Sequence, residues 1–233
     1  PTYNAQGTLE ELCKRINISL AGNVNYQLIL VNDASTDVTA ATIQELQKQY
    51  RQIISISNRK NIGQHPSIFK GLAEARGDYL VVMDCDLQDR PEDIVTLWRV
   101  ISEQKVEAVL AQRNRQGEPR FKRWGSQLFY MILGHIHPKV HWDGSIGNFG
   151  IYQKALIQRI CADAHAHFFP ISVQKHCKQQ LRLAVAHDAA EQSNYSSLQR
   201  IRLAWRILQK EKTNGEAGDR ILDILHAKQA LYH

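Results

Sequence analysis

The sequence has no uninterrupted apolar run approaching the roughly 18 residues of a membrane-spanning helix, which excludes such a helix within it. Its cysteines are few: Cys13, Cys85, Cys161 and Cys177 are scattered and form no Cys-x-x-Cys pair. That spacing speaks for reduced thiols rather than a disulfide frame. There is no internal repeat, no low-complexity segment, no Walker A loop and no G-x-G-x-x-G turn. No secretion signal is visible. The chain opens on Pro1 rather than Met, so its start carries little weight.

What is present is ordinary in bulk. The chain has 233 residues, 43% hydrophobic and 22% charged. That composition excludes disordered, collagenous and coiled-coil chains. The length suits one large domain, or one with a small appendage, able to bury about 70–75% of its unfolded surface without a staple. Lys and Arg outnumber Asp and Glu by 29 to 23, a formal net charge of +6. A basic surface favours anionic partners such as nucleotides or phospholipid headgroups. No recognisable module interleaves the basic residues with aromatics, which argues against nucleic acid.

Local patterns alternate. Tyr26 to Asn32, Ile53 to Ser57, Tyr79 to Met83 and Val106 to Ala111 read as strands. Val38 to Tyr50, Ser67 to Ala75 and Pro91 to Gln104 read as helices, the second ended by Gly77 as a C-cap. Strands alternating with helices of this length imply βαβ units, a mostly parallel sheet, and ligands at the carboxyl ends of the strands. Beyond residue 112 the pattern weakens. A basic loop is expected over 113–124, a helix over 124–133 and a Gly-rich loop over 142–148. A helix is expected over 154–162, a strand over 181–186 and a basic amphipathic helix over 197–209. A linker at 213–218 and a last short helix complete the reading.

Asp33, Asp84 and Asp86 all fall at strand ends. In Asp84-Cys85-Asp86-Leu87-Gln88 two carboxylates one residue apart, with a Gln nearby, are hard oxygen donors suited to Mg²⁺ or Mn²⁺. A cation there could bridge a diphosphate. Asn32-Asp33-Ala34-Ser35-Thr36-Asp37 offers a carboxylate able to accept from a base N–H, beside small residues that let a ring approach. Each turn alone is equally a capped or solvated βα turn. His135/His137 and His165/His167 lack a partner at metal spacing and do not argue for zinc. Cys85, between two acids, is a poor nucleophile.

Together these residues resemble a family. Pro1-Thr-Tyr-Asn4, Val31-Asn-Asp-Ala-Ser-Thr-Asp37, Asn61-Ile-Gly-Gln-His65, Gly71 to Tyr79 and Asp84-Cys-Asp-Leu-Gln-Asp-Arg-Pro-Glu-Asp93 occur in the order of family 2 glycosyltransferases with the GT-A fold. The Gly-Gln-His and Asp-x-Asp-Leu-Gln segments look most like its polyprenyl-phosphate branch. The resemblance is strong over 1–112, partial to about 205, and faint beyond.

The resemblance implies an α/β, Rossmann-like, mostly parallel sheet flanked by helices. A donor-binding half would span 1–112, an acceptor-binding half of the same domain 113–212, and a helical tail 213–233. Because Pro1 to Asn4 looks like the turn after a first strand, that strand is expected to be missing here. The resemblance further implies that Pro1, Tyr3, Asn4, Asp33 and Ser35 bind the nucleotide-sugar. Asp84, Asp86 and Gln88 match the metal and diphosphate site, and Arg113, Arg123 and Ser126 the acceptor phosphate, for which an Arg fork is suited. Asp86 carries the catalytic role through the metal, and Asp143 is the first candidate base, with Asp89 second.

The sequence also departs from the family. Ser193-Asn-Tyr195 is kept without the Arg that often precedes it, and the processive synthases' Gln-x-x-Arg-Trp is absent. The implied activity is metal-dependent, inverting transfer from a nucleotide-diphospho-sugar to a polyprenyl phosphate at the cytoplasmic membrane face. The basic amphipathic helix over 197–209 reads first as an ordinary packed surface helix and second as a peripheral contact with an anionic interface. Transfer to a saccharide hydroxyl in surface-polysaccharide assembly, and a nucleotide-binding homologue without turnover, are the rival readings.

Overall fold

A computed structural model describes residues 1–113 and 146–185, which belong to one compact unit. In chain order its elements are α1 (Leu9–Leu20), β1 (Leu28–Asn32), α2 (Thr39–Gln49), β2 (Ile53–Ser57), α3 (Gln64–Glu74), β3 (Tyr79–Val82) and α4 (Asp93–Gln104). They continue with β4 (Ala108–Arg113), β5 (Ile146–Gln153), α5 (Lys154–Ala162), α6 (Phe169–His176) and β6 (Gln180–Val185).

The strands form two ladders. β1 pairs with β2 in parallel, Leu28 opposite Ile53. The second sheet has the order β3-β5-β4-β6. β5 is antiparallel to both β3 and β4, and β4 is parallel to β6. The alternation of strand and helix thus produces parallel neighbours, as the sequence implies, with one antiparallel strand inserted.

Side chains of period two sort the core. Ala108 and Leu110 of β4 pack with Leu80 and Val82 of β3, α3, α5 and α6 on one face. Val109 and Ala111 pack with Phe149 and Ile151 of β5, α1 and α4 on the other. A third cluster joins Leu9 and Cys13 of α1 to Leu30, Ile43, Leu46 and Ile53. The helix α1 therefore contributes to two clusters through two stripes, Leu9/Cys13 and Leu12/Ile16/Leu20. Gly71 of α3 lets that helix lie close on β1, because a Cβ there would sit 3.2 Å from Val31 Cγ2 and 3.8 Å from Ile29 Cγ2.

Several local expectations are corrected. The helix read from Ser67 begins at Gln64, with Gly63 (φ 94°) at its N-cap. It ends at an extended C-cap, Ala75, so Gly77 is not the cap. Of the expected loop over 142–148, residues from Ile146 onward are strand, held by pairing with β4 and β3 rather than by local propensity. Helices α1 and α6 were not read from the sequence at all. The helices expected over 124–133 and 197–209, the linker at 213–218 and the terminal helix lie outside the described residues, as does most of the basic loop. The four cysteines carry no disulfide.

Gly150 lies where β5 is flanked by Val82 and Leu110. A Cβ at this position would approach the Tyr152 hydroxyl and the Val109 carbonyl oxygen, each to 2.9 Å. Backbone on one side and a fully buried ring on the other leave little room to yield. Gly150→Ala should therefore destabilise the fold by about 2 kcal/mol, within the usual range for overpacking. Urea unfolding with an unchanged m-value would check this.

Candidate functional site

Three segments meet at the carboxyl ends of β1 and β3. The first is Pro1 to Thr8. Thr2 forms a parallel bridge with Asn32, its N–H donating to the Val31 carbonyl (2.7 Å) while Asp33 N–H donates to the Thr2 carbonyl (2.9 Å). The first turn thus sits as the end of a strand would, beside β1. Asn4 N–H donates to Ser35 Oγ (3.1 Å), Ser35 Oγ–H to Asn32 Oδ1 (2.6 Å), and Thr36 N–H to Asn4 Oδ1 (2.9 Å). This network joins Asn4 and Ser35, two of the residues singled out in the sequence. Tyr3 is 48% exposed.

The second segment is the turn after β1. Asp33 is 3% exposed, and its carboxylate accepts three hydrogen bonds. Oδ1 takes Asn58 Nδ2–H (2.8 Å) and Ile62 N–H (2.9 Å), and Oδ2 takes Gly63 N–H (2.8 Å). Asn58 in turn donates to Ser67 Oγ (3.0 Å) and accepts from Lys70 Nζ (2.7 Å). The carboxylate expected to meet a base is thus also a tie between the β1 turn and the 58–63 loop. A carboxylate has about four acceptor positions, and these bonds use three of them.

The third segment is the turn after β3. Asp84 Oδ1 accepts from Gln64 Nε2–H (2.8 Å) and Asn148 Nδ2–H (3.2 Å), one from the start of α3 and one from β5. Asp86 Oδ1 accepts from Gln88 N–H (3.2 Å), and Leu87 between them has φ 61°. Thr8 Oγ–H donates to the Cys85 carbonyl (2.7 Å), tying this turn to the first segment. Burial, then the Asp84 and Asp86 charges, raises the Cys85 thiol pKa, so it stays protonated and inert.

Among the described residues, four non-glycine positions have positive φ: Asn4, Ala34, Leu87 and Lys105. Lys105 is the C-cap of α4. The other three lie one in each of the converging turns, where such strain of order 1–3 kcal/mol is commonly found at functional sites. His65 lies beside them, 8% exposed, its ring 3.9 Å from that of Phe168. Burial holds its imidazole down at about 4, against an opposing pull from the Asp84 charge.

The sequence brought Pro1, Asn4, Asp33, Ser35, Asp84 and Asp86 to attention, and the fold gathers them. It missed Asn58, Gln64 and Asn148, the neutral amides that orient two of the carboxylates. Gln64 stood inside the Asn61–His65 segment, whereas Asn148, in an expected loop, had no signal of its own. Asp89, the second-choice base, is 1% exposed. Arg113 closes β4. Arg123, Ser126 and Asp143 lie outside the described residues. No group of three or more His, Cys, Asp or Glu side chains clusters to hold a metal among the described residues. Two carboxylates in one turn still suit an octahedral cation completed by phosphate and water oxygens, the usual way Mg²⁺ is bound.

The Glycosyl transferase family 2 model matches residues 1–175. The chain belongs to this family. The mannosyltransferase PcManGT from Pyrobaculum calidifontis, in complex with GDP-Man and Mn²⁺, superimposes at TM-score 0.60 and 18% identity, over 98% of this chain and 67% of that one. S. aureus TarS 1-349 in complex with UDP-GlcNAc gives 0.61 and 18%, over 93% of this chain and 66% of that one. Mannosyl-3-phosphoglycerate synthase from Rubrobacter xylanophilus gives 0.66 and 15%, over 94% and 73%. The likeness is one of fold, GT-A. The chain spans about two thirds of the length of the mannosyltransferase and of the TarS fragment.

Two outcomes follow from this family 2 chain's turns. Asp33→Ala removes three hydrogen bonds to a buried carboxylate and takes the acceptor from the Ile62 and Gly63 N–H groups. It should cost about 3 kcal/mol or more in stability, read by urea unfolding. His65 binds a proton near 6.5 when unfolded but only near 4 when folded. The unfolded state then holds the extra proton, so stability of the ligand-free protein falls as pH drops from about 6.5 towards 4. His65→Gln should lose less stability over that window, measured by unfolding at a series of pH values.

Proposed function

We propose that this family 2 chain is a metal-dependent, inverting glycosyltransferase that moves a sugar from a nucleotide-diphospho-sugar to a polyprenyl phosphate at the cytoplasmic face of a membrane. The observation that carries the reading is the turn after β3, where Asp84 and Asp86 stand one residue apart and Gln64 and Asn148 orient Asp84. Residues 1–112 form the donor half, 113–212 the acceptor half, and 213–233 a tail.

Pro1, Tyr3, Asn4, Asp33 and Ser35 receive the nucleotide. Half-exposed Tyr3 offers a ring face, and the Asn4–Ser35–Asn32 network fixes the turn it must meet. Asp84, Asp86 and Gln88 hold Mg²⁺ or Mn²⁺. Such a cation would neutralise the charge that develops on the departing diphosphate. That PcManGT is in complex with GDP-Man and Mn²⁺ and the TarS fragment with UDP-GlcNAc supports the donor class and the metal. Arg113, Arg123 and Ser126 position the acceptor phosphate. A phosphate is already anionic, so this acceptor requires orientation rather than a general base. A hydroxyl acceptor would instead require a base such as Asp143. No helix among the described residues is long and apolar enough to cross a membrane.

The test is transfer from UDP-, GDP- and dTDP-sugars, with Mg²⁺ or Mn²⁺, to undecaprenyl phosphate in detergent, read by mass in the organic extract. A metal-dependent sugar–phosphate–lipid product is expected. Asp86→Ala should lower its formation by about 100-fold or more, comparable to loss of a principal charge-stabilising group. Donor binding without lipid product would move the acceptor to a saccharide hydroxyl. Absence of donor binding would overturn the enzymatic reading.

A further inference from the structure

One oxygen of Asp84 is held twice. Gln64 Nε2–H donates to Oδ1 at 2.8 Å, and Asn148 Nδ2–H donates to the same atom at 3.2 Å. A carboxylate oxygen has two lone pairs, so these donors engage both of them on Oδ1. The donors reach it from separate elements. Gln64 opens α3 directly after Gly63, whose N–H is bound by Asp33 Oδ2. Asn148 comes from β5.

β5 is irregular where it delivers that amide. On the β4 side Leu110 pairs with Gly150 and Gln112 with Ile146, so Ala111 stands against the stretch Gly147, Asn148 and Phe149. Such a bulge re-aims a side chain. On the β3 side Val82 pairs with Gly150, and two residues on Asp84 comes opposite Asn148. Asn148 is 7% exposed, and its Oδ1 has no hydrogen-bond partner. An unpartnered buried acceptor is costly, and a Leu of the same shape would avoid the cost. Packing therefore does not account for an amide at this position, whereas its bond to Asp84 does.

We propose that Gln64 and Asn148 are positioning residues that make Asp84 a one-oxygen ligand and thereby choose the cation the turn accepts. With Oδ1 engaged by two donors, Asp84 meets a cation through Oδ2. Asp86 is biased the same way, because its Oδ1 accepts from Gln88 N–H (3.2 Å). Ca²⁺ takes about 6–8 oxygens and readily chelates both oxygens of a carboxylate. Mg²⁺ demands near-ideal octahedral geometry and keeps several waters, and Mn²⁺ suits the same oxygen octahedron. One oxygen from each carboxylate therefore favours Mg²⁺ and Mn²⁺ over Ca²⁺. The inference rests on the metal reading above and adds the residues that discriminate between ions.

The test reads cation binding rather than turnover. Mn²⁺ is titrated into the full chain with UDP and, separately, with GDP, followed by its electron paramagnetic resonance signal, and is then displaced by Ca²⁺. Gln64→Met and Asn148→Leu each remove one donor at similar side-chain size. Thermal unfolding without metal reports that a variant is folded, and two separate variants keep the comparison informative if one is not. The parent chain is expected to bind Mn²⁺ and hold it against excess Ca²⁺. Each variant should bind Mn²⁺ about tenfold more weakly, the scale of losing a partner behind a metal ligand. Its preference for Mn²⁺ over Ca²⁺ should fall by a similar factor, because the released Oδ1 can join Oδ2 in chelation. A folded variant that loses Mn²⁺ and Ca²⁺ affinity equally, or neither, would overturn the inference and leave the metal site standing. A parent chain that binds no Mn²⁺ with either nucleotide would overturn the metal reading itself, and this inference with it.

Discussion

The buried Asp33 carboxylate holds the donor end of this fold in register. It sits where β1 stops, almost without solvent, and an anion in such a place must be fully hydrogen-bonded to be tolerated. Asn58 and the backbone amides of Ile62 and Gly63 supply those bonds. This sets the path of the chain from β2 into α3. The start of α3 in turn presents Gln64 to Asp84, which follows the next strand, β3. One carboxylate thus positions the amide that orients another.

That coupling explains why the strained residues gather where they do. Asn4, Ala34 and Leu87 each hold a left-handed conformation in a short turn that must also make long-range bonds. Asn4 and Ser35 bond across a separation of 31 residues, and Thr8 reaches Cys85 across 77. Turns pinned from outside can keep a conformation that local preference disfavours. The result is a preorganised rim of backbone and side-chain groups at the strand ends, the usual place for ligands in an α/β sheet. Family 2 membership gives that rim its chemical setting.

The elements whose period was strong were legible in the sequence. The buried runs of β1 and β3, helices α2 and α4, and the acids at the strand ends follow from local pattern, since hydrophobic spacing and turn chemistry are local properties. The resemblance to family 2 rested on those same segments in order. Helices α1 and α6 and the strand from Ile146 to Asn148 were not read there. β5 is a strand because β3 and β4 flank it, and Gly147, Asn148 and Gly150 carry no strand preference of their own. Local sequence also marked Asp33 and Asp84 as candidates without distinguishing their surroundings. Which amides meet each carboxylate, and that Asp89 is buried while its neighbours border the rim, depend on contacts between distant segments. Those only the tertiary structure decided, because burial and hydrogen-bond partnership are properties of the packed chain and not of any stretch of it.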